Sequence, residues 1–468
     1  MKTTSAHRSL KREIGLLSAM VIVVANMVGS GIFTTSGFIV GQLGSAWMLL
    51  TCWLVGGLFA LAGALCYGEM GAMLPKAGGE YAYLHYAFGP VPAFLSGWVS
   101  LVVGFSAPIG AAAIAFATYF LGGGTEPWLA VEFAGRRWLT VSGVTLLACA
   151  VVVLFSIVHS HSLRLGTRVQ NLLTMFKLAV IVLFSVAGMM WGKGDWSHLG
   201  AVPDNGAGGW GPFAVALIFV SFSYSGWNAA AYLGGEIRQP GRNLPLALMA
   251  GTGLVIALYL ALNLVYVYAL PASAMQGTLE VGTAAATALF GPAMGRAFGL
   301  VIALGLLSVL SAMIMAGPRV YYAMARDGLF FRRFAGVHQT RRTPVGAIWL
   351  QAAIAIGMIL CAAYDALLIY IGFTLSLTAV ATVAGLFWLR HTAPEMARPY
   401  RAFGYPLTPA LFIVGNLWIV CHTVASRPLV VGCGLATIAI GWAVQSWFNK
   451  QSGQTQRHAA ADTGLGPA

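Results

Sequence analysis

Met27-Val28-Gly29-Ser30-Gly31-Ile32-Phe33 interrupts a long apolar stretch, and Phe222-Ser223-Tyr224-Ser225-Gly226-Trp227-Asn228 interrupts another at the matching place in the second half of the chain. A continuous helix satisfies every backbone hydrogen bond in lipid, so a break there is costly unless it lines a cavity. Paired breaks of this kind point to the midplane binding site of a secondary transporter. The alternative is two unrelated glycine kinks, since glycine is common in membrane helices.

The composition predicts a polytopic all-α integral membrane protein. Of the 468 residues, 59% are hydrophobic and only 8% are charged, which excludes an ordinary soluble domain of this length. A membrane helix needs about 20 apolar residues. On that basis we predict twelve spans, at 14–40, 45–70, 88–121, 138–158, 167–191, 210–236, 245–270, 283–325, 345–363, 366–390, 405–426 and 428–449.

The distribution of positive charge predicts the orientation. With a cytoplasmic N-terminus, most Lys and Arg residues fall in cytoplasmic tails and loops, as the positive-inside rule requires. The outer side then holds only Arg136, Arg137, Lys193, Arg296 and Arg427. The net charge of +13 therefore reflects topology and does not indicate a nucleic-acid partner. We expect an inner-membrane protein with two cytoplasmic tails, 1–13 and 450–468.

The position of the second break predicts an internal repeat. It follows five complete spans, so the sixth span crosses the bilayer in the opposite direction to the first. Residues 14–191 and 210–390 are therefore expected to form a 5+5 inverted repeat with discontinuous helices 1 and 6. Helices 11 and 12, within 405–449, lie outside the repeat.

The helix ends at the breaks could bind both charges of a zwitterion. The half-helix that begins near Ile32 presents free N–H groups and a positive dipole end, which suit a carboxylate. The half-helices that end near Met27 and Phe222 present carbonyls, which suit an ammonium group. Gly29 and Gly31 allow close backbone approach, and Ser30 adds a hydroxyl donor. The expected ligand carries an α-ammonium and an α-carboxylate.

The predicted substrate site draws on both breaks, and each polar residue has a structural alternative. The candidate residues are Val28, Gly29, Ser30, Gly31, Phe222, Ser223, Ser225 and Asn228. The serines could instead bond to carbonyls of their own helix, and Asn228 could form an interhelical hydrogen bond. Phe222 is either a gate over the ligand or an ordinary bundle aromatic.

Two kinds of charged residue need separate explanations. Lys177 lies about 15 Å along a helix from Thr167, so we expect it to face the bundle interior and to act in coupling; a long snorkel to the surface is the alternative. Its ammonium could replace a bound sodium ion or titrate. Glu69, Glu80 and Glu236 lie at cytoplasmic span ends and are expected to form ion pairs of an inner gate.

Several motifs in this order resemble the amino acid–polyamine–organocation (APC) superfamily, and its L-type amino-acid transporter branch in particular. The motifs are Val28-Gly29-Ser30-Gly31-Ile32-Phe33, Gly68-Glu69-Met70, Leu74-Pro75-Lys76-Ala77-Gly78-Gly79-Glu80-Tyr81, Phe222 to Asn228, Glu236-Ile237, Pro240-Gly241-Arg242-Asn243-Leu244-Pro245, Arg319 to Gly328 and Arg398-Pro399-Tyr400. The resemblance spans about residues 12–445.

The resemblance implies a twelve-helix fold of the 5+5 inverted-repeat type, with alternating access for free amino acids. In that family the residues that match Ser30 and Gly31 hold the substrate carboxylate. Those that match Phe222, Ser223 and Ser225 frame the amino group and side chain, with Phe222 as the gating aromatic, and Asn228 matches a polar residue near the substrate. Lys177 matches a fifth-helix lysine where sodium-coupled relatives hold an ion, which implies sodium independence.

Two departures from the family pattern refine the expectation. Residues 122–137 contain no cysteine, whereas animal L-type members use one there to bind a glycoprotein, so no disulfide-linked heavy chain is expected. Ser225 stands where many members have glycine, which shrinks the pocket and disfavours large aromatic substrates.

We therefore predict a transporter of small to medium neutral L-amino acids that works by exchange or proton-coupled uptake, without a cofactor or metal. The rival within transport is a carrier of cationic or modified amino acids or polyamines. An intramembrane enzyme lacks its motifs here, since HExxH, a paired membrane aspartate motif and GxxxxGK are all absent. A channel with the same fold is a further alternative.

Overall fold

The computed structural model describes residues 12, 14–76, 78–123, 125–133, 136–161, 163–200, 209–335, 343–361 and 363–462. The predicted tail 1–13 lies almost entirely outside these residues, as do the last six residues of the predicted tail 450–468. The architecture is all-α apart from one short hairpin, in agreement with the prediction.

The helices and strands follow one another along the chain with short connections. Those of the first part are α1 (Leu16–Met27), α2 (Gly31–Thr34), α3 (Ser36–Leu43), α4 (Ala46–Met73), α5 (Glu80–Phe88), α6 (Pro90–Val99), a π-helix (Ser100–Ser106), α7 (Ala107–Leu121), β1 (Leu129–Phe133), β2 (Arg136–Val141), α8 (Gly143–His161), α9 (Leu163–Trp191) and a 3-10 helix (Trp196–Leu199).

Those of the second part are α10 (Trp210–Tyr224), a 3-10 helix (Ala229–Tyr232), α11 (Pro240–Ala269), α12 (Ala272–Met275), α13 (Val281–Phe290), α14 (Pro292–Ala316), α15 (Pro318–Arg326), a 3-10 helix (Arg332–Ala335), α16 (Val345–Cys361), α17 (Tyr364–Thr392), α18 (Leu407–Ser426) and α19 (Pro428–Asp462).

The predicted membrane spans correspond to helices. Within the described part of the chain, 10 helical stretches are long and apolar enough to cross a bilayer. The other two predicted spans, 210–236 and 345–363, coincide with the shorter apolar helices α10 and α16. The final helix runs on to Asp462, into the segment expected to be a tail.

Two predicted boundaries differ from the structure for local chemical reasons. The predicted span 283–325 is divided into α13, α14 and α15, because Pro292 and Pro318 each follow a glycine and begin a new helix. The predicted span 138–158 begins as a strand, and its helix begins only at Gly143. There Ser142 and Thr145 exchange backbone and hydroxyl hydrogen bonds of 2.8 and 3.3 Å, a reciprocal helix cap.

Both interrupted helices are discontinuous, as predicted. α1 ends at Met27 and α2 begins at Gly31, while α10 ends at Tyr224 and a turn precedes the short 3-10 helix. α1 packs against the 3-10 helix 229–232, and α10 packs against α2 and α3. Each first half thus lies beside the other's second half, so the two interrupted helices run in opposite directions.

The side of the bundle at which α1 begins is called the N-terminal face. Here Ile14 and Ile237 form an isolated parallel β-bridge, with hydrogen bonds from Ile14 N to Glu236 O (3.0 Å) and from Arg238 N to Ile14 O (2.9 Å). The interior between the two faces is a continuous cluster of buried apolar side chains from the first helix to the last.

Candidate functional site

The two helix breaks meet at the centre of the bundle, and glycine is required at the contact. A Cβ on Gly31 would lie 2.6 Å from the Cα of Ser223, and one on Gly226 would lie 2.9 Å from the carbonyl oxygen of Asn26. Gly226 also has φ +96, a backbone conformation that residues with a side chain rarely adopt. The predicted close approach of the two breaks is therefore present.

The carbonyls at the end of α1 have buried side-chain partners. Lys177 Nζ donates to the carbonyl of Ala25 (3.0 Å) and to that of Val28, and the Lys177 side chain is 1% exposed. The Tyr259 hydroxyl lies within donating distance of the carbonyls of Met27 (2.6 Å) and Ser223 (3.0 Å). One tyrosine thus links the two breaks, and one lysine caps the first.

The second half of the first interrupted helix is more continuous than its two named parts suggest. Backbone hydrogen bonds run from Thr35 N to Gly31 O and from Ile39 N to Thr35 O, each 2.9 Å long. A helix from Gly31 to Leu43 therefore begins at the break, and its N-terminal dipole end points to the centre of the bundle. Thr35 Oγ1 and Ser223 Oγ, 3.0 Å apart, join this helix to α10.

A small cavity lies at the junction of the breaks. Its volume is about 20 Å³, close to the space that one water molecule needs, so an amino acid can enter only if the surrounding elements move apart. The lining residues are Asn26, Met27, Gly29, Ser30, Gly31, Pro108, Phe222, Ser223, Ser225, Val309 and Met313.

Six of the eight predicted substrate residues line the cavity. They are Gly29, Ser30, Gly31, Phe222, Ser223 and Ser225. The two others lie elsewhere: the Val28 carbonyl accepts from Lys177, and the Asn228 side chain donates 2.9 Å to Glu80 Oε1. Ser223 also makes the helix back-bond considered as its alternative, to Phe219 O (2.8 Å).

Sequence reasoning missed several residues of the site. Asn26 lies inside an ordinary apolar stretch, and Pro108, Val309 and Met313 come from helices with no break. Tyr259 is likewise one aromatic residue in a long apolar helix. Their contributions depend on packing between distant segments, for which the single sequence carries no signal.

Contacts between elements join the bundle on both sides of the cavity. On the N-terminal face, Gly78 N donates to Tyr232 O (3.2 Å), in addition to the Ile14–Ile237 bridge. On the opposite face, the Tyr119 hydroxyl donates to Phe33 O (2.6 Å). There the Thr34 and Tyr364 hydroxyls also lie 2.9 Å apart.

The three glutamates expected at an inner gate have different partners. Glu69 forms the predicted ion pairs, to Arg390 (2.6 Å) and Arg398 (3.6 Å). Glu80 instead accepts hydrogen bonds from Tyr67 and Asn228, and none of the ion pairs among the described residues includes it. The Glu236 backbone carbonyl accepts from Ile14.

A larger cavity elsewhere is chemically unsuited to a zwitterion. It has a volume of about 290 Å³ and lies between α9, α13 and α14, where only apolar side chains such as Phe184 and Phe298 line it. Among the described residues, no group of three or more His, Cys, Asp or Glu side chains could hold a metal ion. Of these two cavities, the one at the junction of the breaks is the one that polar groups line.

A multi-pass membrane protein with two antiparallel interrupted helices around a small central cavity has the architecture of a secondary transporter. Residues 14–456 match the family model described as "Amino acid permease". The chain belongs to this amino-acid permease family of the APC superfamily, as the sequence motifs predicted. It is a transporter of amino acids, not an enzyme.

Individual relatives are similar in sequence to this chain over nearly its whole length. It is 34% identical to the serine/threonine exchanger SteT of Bacillus subtilis, covering 93% of this chain and 95% of the relative. It is 31% identical to the mouse large neutral amino acids transporter small subunit 2, over 92% of this chain and 80% of the relative. It is 29% identical to the mouse b(0,+)-type amino acid transporter 1, over 92% of this chain and 85% of the relative.

Proposed function

We propose that this transporter exchanges small to medium neutral L-amino acids by alternating access, without sodium. The observation that carries the proposal is the central cavity. It is lined by hydroxyls and backbone of both breaks, and none of its lining residues is acidic. A cationic side chain would have no carboxylate partner there, which favours neutral substrates over the cationic amino acids and polyamines considered as rivals.

In this proposal the substrate carboxylate binds at the start of the helix from Gly31, together with the Ser30 hydroxyl. The ammonium binds carbonyls of the breaks, since a carbonyl with one partner keeps a second lone pair. Phe222, which is 6% exposed, acts as the gate, and Ser223 and Ser225 contact the side chain. Val28 and Asn228 act on the site through Lys177 and Glu80.

The buried Lys177 supports sodium independence. Its ammonium donates hydrogen bonds to the carbonyls of Ala25 and Val28 at the end of α1, and in this proposal its positive charge takes the place of a coupling cation. The names of two relatives, an exchanger of serine and threonine and a transporter of large neutral amino acids, support exchange of neutral substrates. Proton-coupled uptake is the alternative that the same site allows.

We also propose the topology. Residues 14–191 and 210–390 form the two inverted repeats, and the N-terminal face lies in the cytoplasm of a cell whose inner membrane holds the protein. The absence of cysteine from 122–137 supports function without a disulfide-linked heavy chain, although one relative is named as a small subunit.

The test is counterflow in proteoliposomes with a panel of labelled amino acids. We expect serine, threonine, alanine and leucine to enter faster when unlabelled substrate is present inside, with no change when sodium is replaced by choline. Lysine, arginine and putrescine should not enter. Uptake driven only by a pH gradient would favour symport over exchange. Failure to carry any α-amino acid, or uptake that internal substrate does not accelerate, would overturn the proposal.

A further inference from the structure

Glu80 joins three separate elements on the N-terminal face. It is the first residue of α5 and is 6% exposed. Its Oε1 accepts a 2.6 Å hydrogen bond from the Tyr67 hydroxyl of α4 and a 2.9 Å hydrogen bond from Asn228 Nδ2. Asn228 lies in the turn that interrupts the second broken helix, three residues after Ser225 of the cavity. One carboxyl group therefore ties the break to α4.

The charge environment of Glu80 is unusual for a buried acid. Glu69, which also lies on this face, is fully buried but pairs with two arginines. No ion pair of Glu80 occurs within the part of the chain that the structure describes. Burial raises the pKa of Glu80 above its ordinary value, and the hydrogen bonds from Tyr67 and Asn228 lower it by less.

Within the described residues, no cationic side chain pairs with Glu80. Three phenols face it, Tyr67 of α4, Tyr83 of its own helix and Tyr232 of the 3-10 helix. From the other packed elements, α17 contributes Thr382 and the π-helix contributes Ser100, which bond to Tyr67 and Tyr232. Lys76, in the loop before α5, is exposed. A negative charge at this position is thus stabilised by two hydrogen bonds and by the N-terminal end of α5, without a cationic partner among the described residues.

Opening of the N-terminal face must change this environment. The 3-10 helix that follows Asn228 packs against α1 and α4, and Glu80 lies on α5, so movement of the break away from α4 and α5 separates Asn228 from Glu80. Water then reaches the carboxyl group and stabilises its charged form. The closed form therefore holds the proton more tightly than the open form, and by linkage the proton favours closure.

We propose that Glu80 is a proton-controlled latch of the N-terminal face: protonated, it holds the break of the second interrupted helix closed, and loss of the proton accompanies opening. Glu80 is a positioning residue in this scheme because it acts through Asn228 and does not touch substrate. The inference rests on the alternating access of the proposed function and goes beyond it by naming what regulates one gate.

The test measures opening directly, without any substrate. A cysteine replaces Ala230, which is 0% exposed beside the break, in a background without the six native cysteines. Its rate of maleimide labelling, corrected for thiolate content with an exposed control cysteine at Gln239, reports opening. We expect the corrected rate to rise by about tenfold per pH unit between the pKa values of Glu80 in the closed and open forms. Glu80→Gln should abolish this rise, and Glu80→Asp should retain it.

A second readout is counterflow at varied pH on the N-terminal side. Transport by the wild type should become faster as that pH rises. Glu80→Gln should show a transport rate that does not change with pH and that equals the low rate of the wild type at acidic pH.

The latch would be overturned if labelling of Glu80→Gln depends on pH as it does in the wild type, or if labelling of the wild type does not depend on pH. If both Glu80 variants fail to fold, the labelling of the wild-type background at pH 5.5 and 8 decides alone. Loss of all amino-acid transport with pH-dependent labelling intact would contradict the proposed function but not the latch.

Discussion

At the residue scale, Lys177 shows what a single sequence can and cannot predict. Its depth in an apolar span, with no other Lys or Arg nearby, predicted that it faces the interior. The partners, the carbonyls of Ala25 and Val28, belong to a segment about 150 residues away. No local pattern connects the two, so the sequence could place the lysine in the bundle interior but not at the end of α1; its role in coupling stays a prediction.

The lysine leads to a direct prediction. Lys177→Ala removes the hydrogen bonds to two carbonyls, at a cost of about 1–3 kcal/mol each, and removes the charge that, in the proposed function, replaces a coupling ion. We expect the maximal rate of counterflow to fall at least about tenfold, while the protein remains folded. Lys193→Ala, at an exposed position after α9, is the control and should transport normally. Unchanged transport in Lys177→Ala would refute the ion-replacing role.

Ser30 tests the carboxylate end of the proposed substrate site. A hydrogen bond to a charged group contributes about 1.5–3 kcal/mol, so Ser30→Ala should raise the KM for transport by about tenfold or more with a smaller change in maximal rate. Ser426→Ala is the matched control, because that exposed hydroxyl only bonds back to His422 O (2.8 Å). An unaltered KM in Ser30→Ala would place the carboxylate elsewhere.

Gly31 tests the contact between the breaks. The Cβ of Gly31→Ala would collide with the backbone of Ser223, and overpacking of this kind costs about 1–3 kcal/mol. We expect a lower thermal unfolding midpoint and loss of transport. Gly253→Ala in α11, where nothing lies within 4 Å of the added Cβ, should be neutral or stabilising. Equal behaviour of the two variants would show that the breaks are not in close contact.

At the element scale, the sequence predicted where helices lie better than where they end. Ten of the twelve spans correspond to long helices because about 20 consecutive apolar residues are an unambiguous pattern. The errors fall at the start of the span 138–158, where a strand precedes the helix, and at Gly291 and Gly317, where a following proline divides one apolar run into three helices. Hydropathy does not detect such divisions, since the residues on both sides remain apolar.

The sequence predicted the positions of the two helix breaks but not the hydrogen-bond partners of the residues in them. Glycine and serine within an apolar run marked both breaks correctly. Asn228 was expected at the substrate, yet it bonds to Glu80, because the chain after Gly226 turns toward the loop before α5. That direction depends on a positive φ and on packing against Asn26, which the residue types alone do not reveal.

Glu69 connects α4 to the end of α17 and to the loop that follows it. Its oxygens accept from Arg390 Nε (2.9 Å) and from Ala402 N (2.6 Å), and the carboxyl group is fully buried. Removal of one partner from a buried ion pair costs about 3–5 kcal/mol. Glu69→Gln should therefore lower the apparent thermal unfolding midpoint of the purified protein clearly.

The comparison for Glu69 is Glu395→Gln, at an exposed position in the loop after α17. Surface ion pairs contribute little, so this variant should unfold at the wild-type temperature. If Glu69→Gln also unfolds at that temperature, the arginine cluster does not stabilise the connection between α4 and α17.

At the scale of the whole molecule, alternating access requires the N-terminal face to open. Ile14 and Ile237 are paired across a parallel bridge, a spacing that a disulfide can span. The double variant Ile14→Cys with Ile237→Cys should lose transport on oxidation and regain it with a reductant. Each single variant should be insensitive to oxidation. Full transport by the cross-linked protein would show that this face does not open during the cycle.

The π-helix from Ser100 to Ser106 has a consequence for how this chain tolerates insertions and deletions. Its wider turns hold about one more residue than an α-helix would over the same length. Deleting one residue there would restore α-helical winding and leave the orientation of the helix beyond it unchanged, whereas deleting one residue from the regular turns of α7 before Tyr119 would rotate everything beyond the deletion by about 100°. Tyr119, whose hydroxyl reaches Phe33 across the bundle, would then point away from its partner. The π-helix thus tolerates the loss of one residue that the regular helix after it does not.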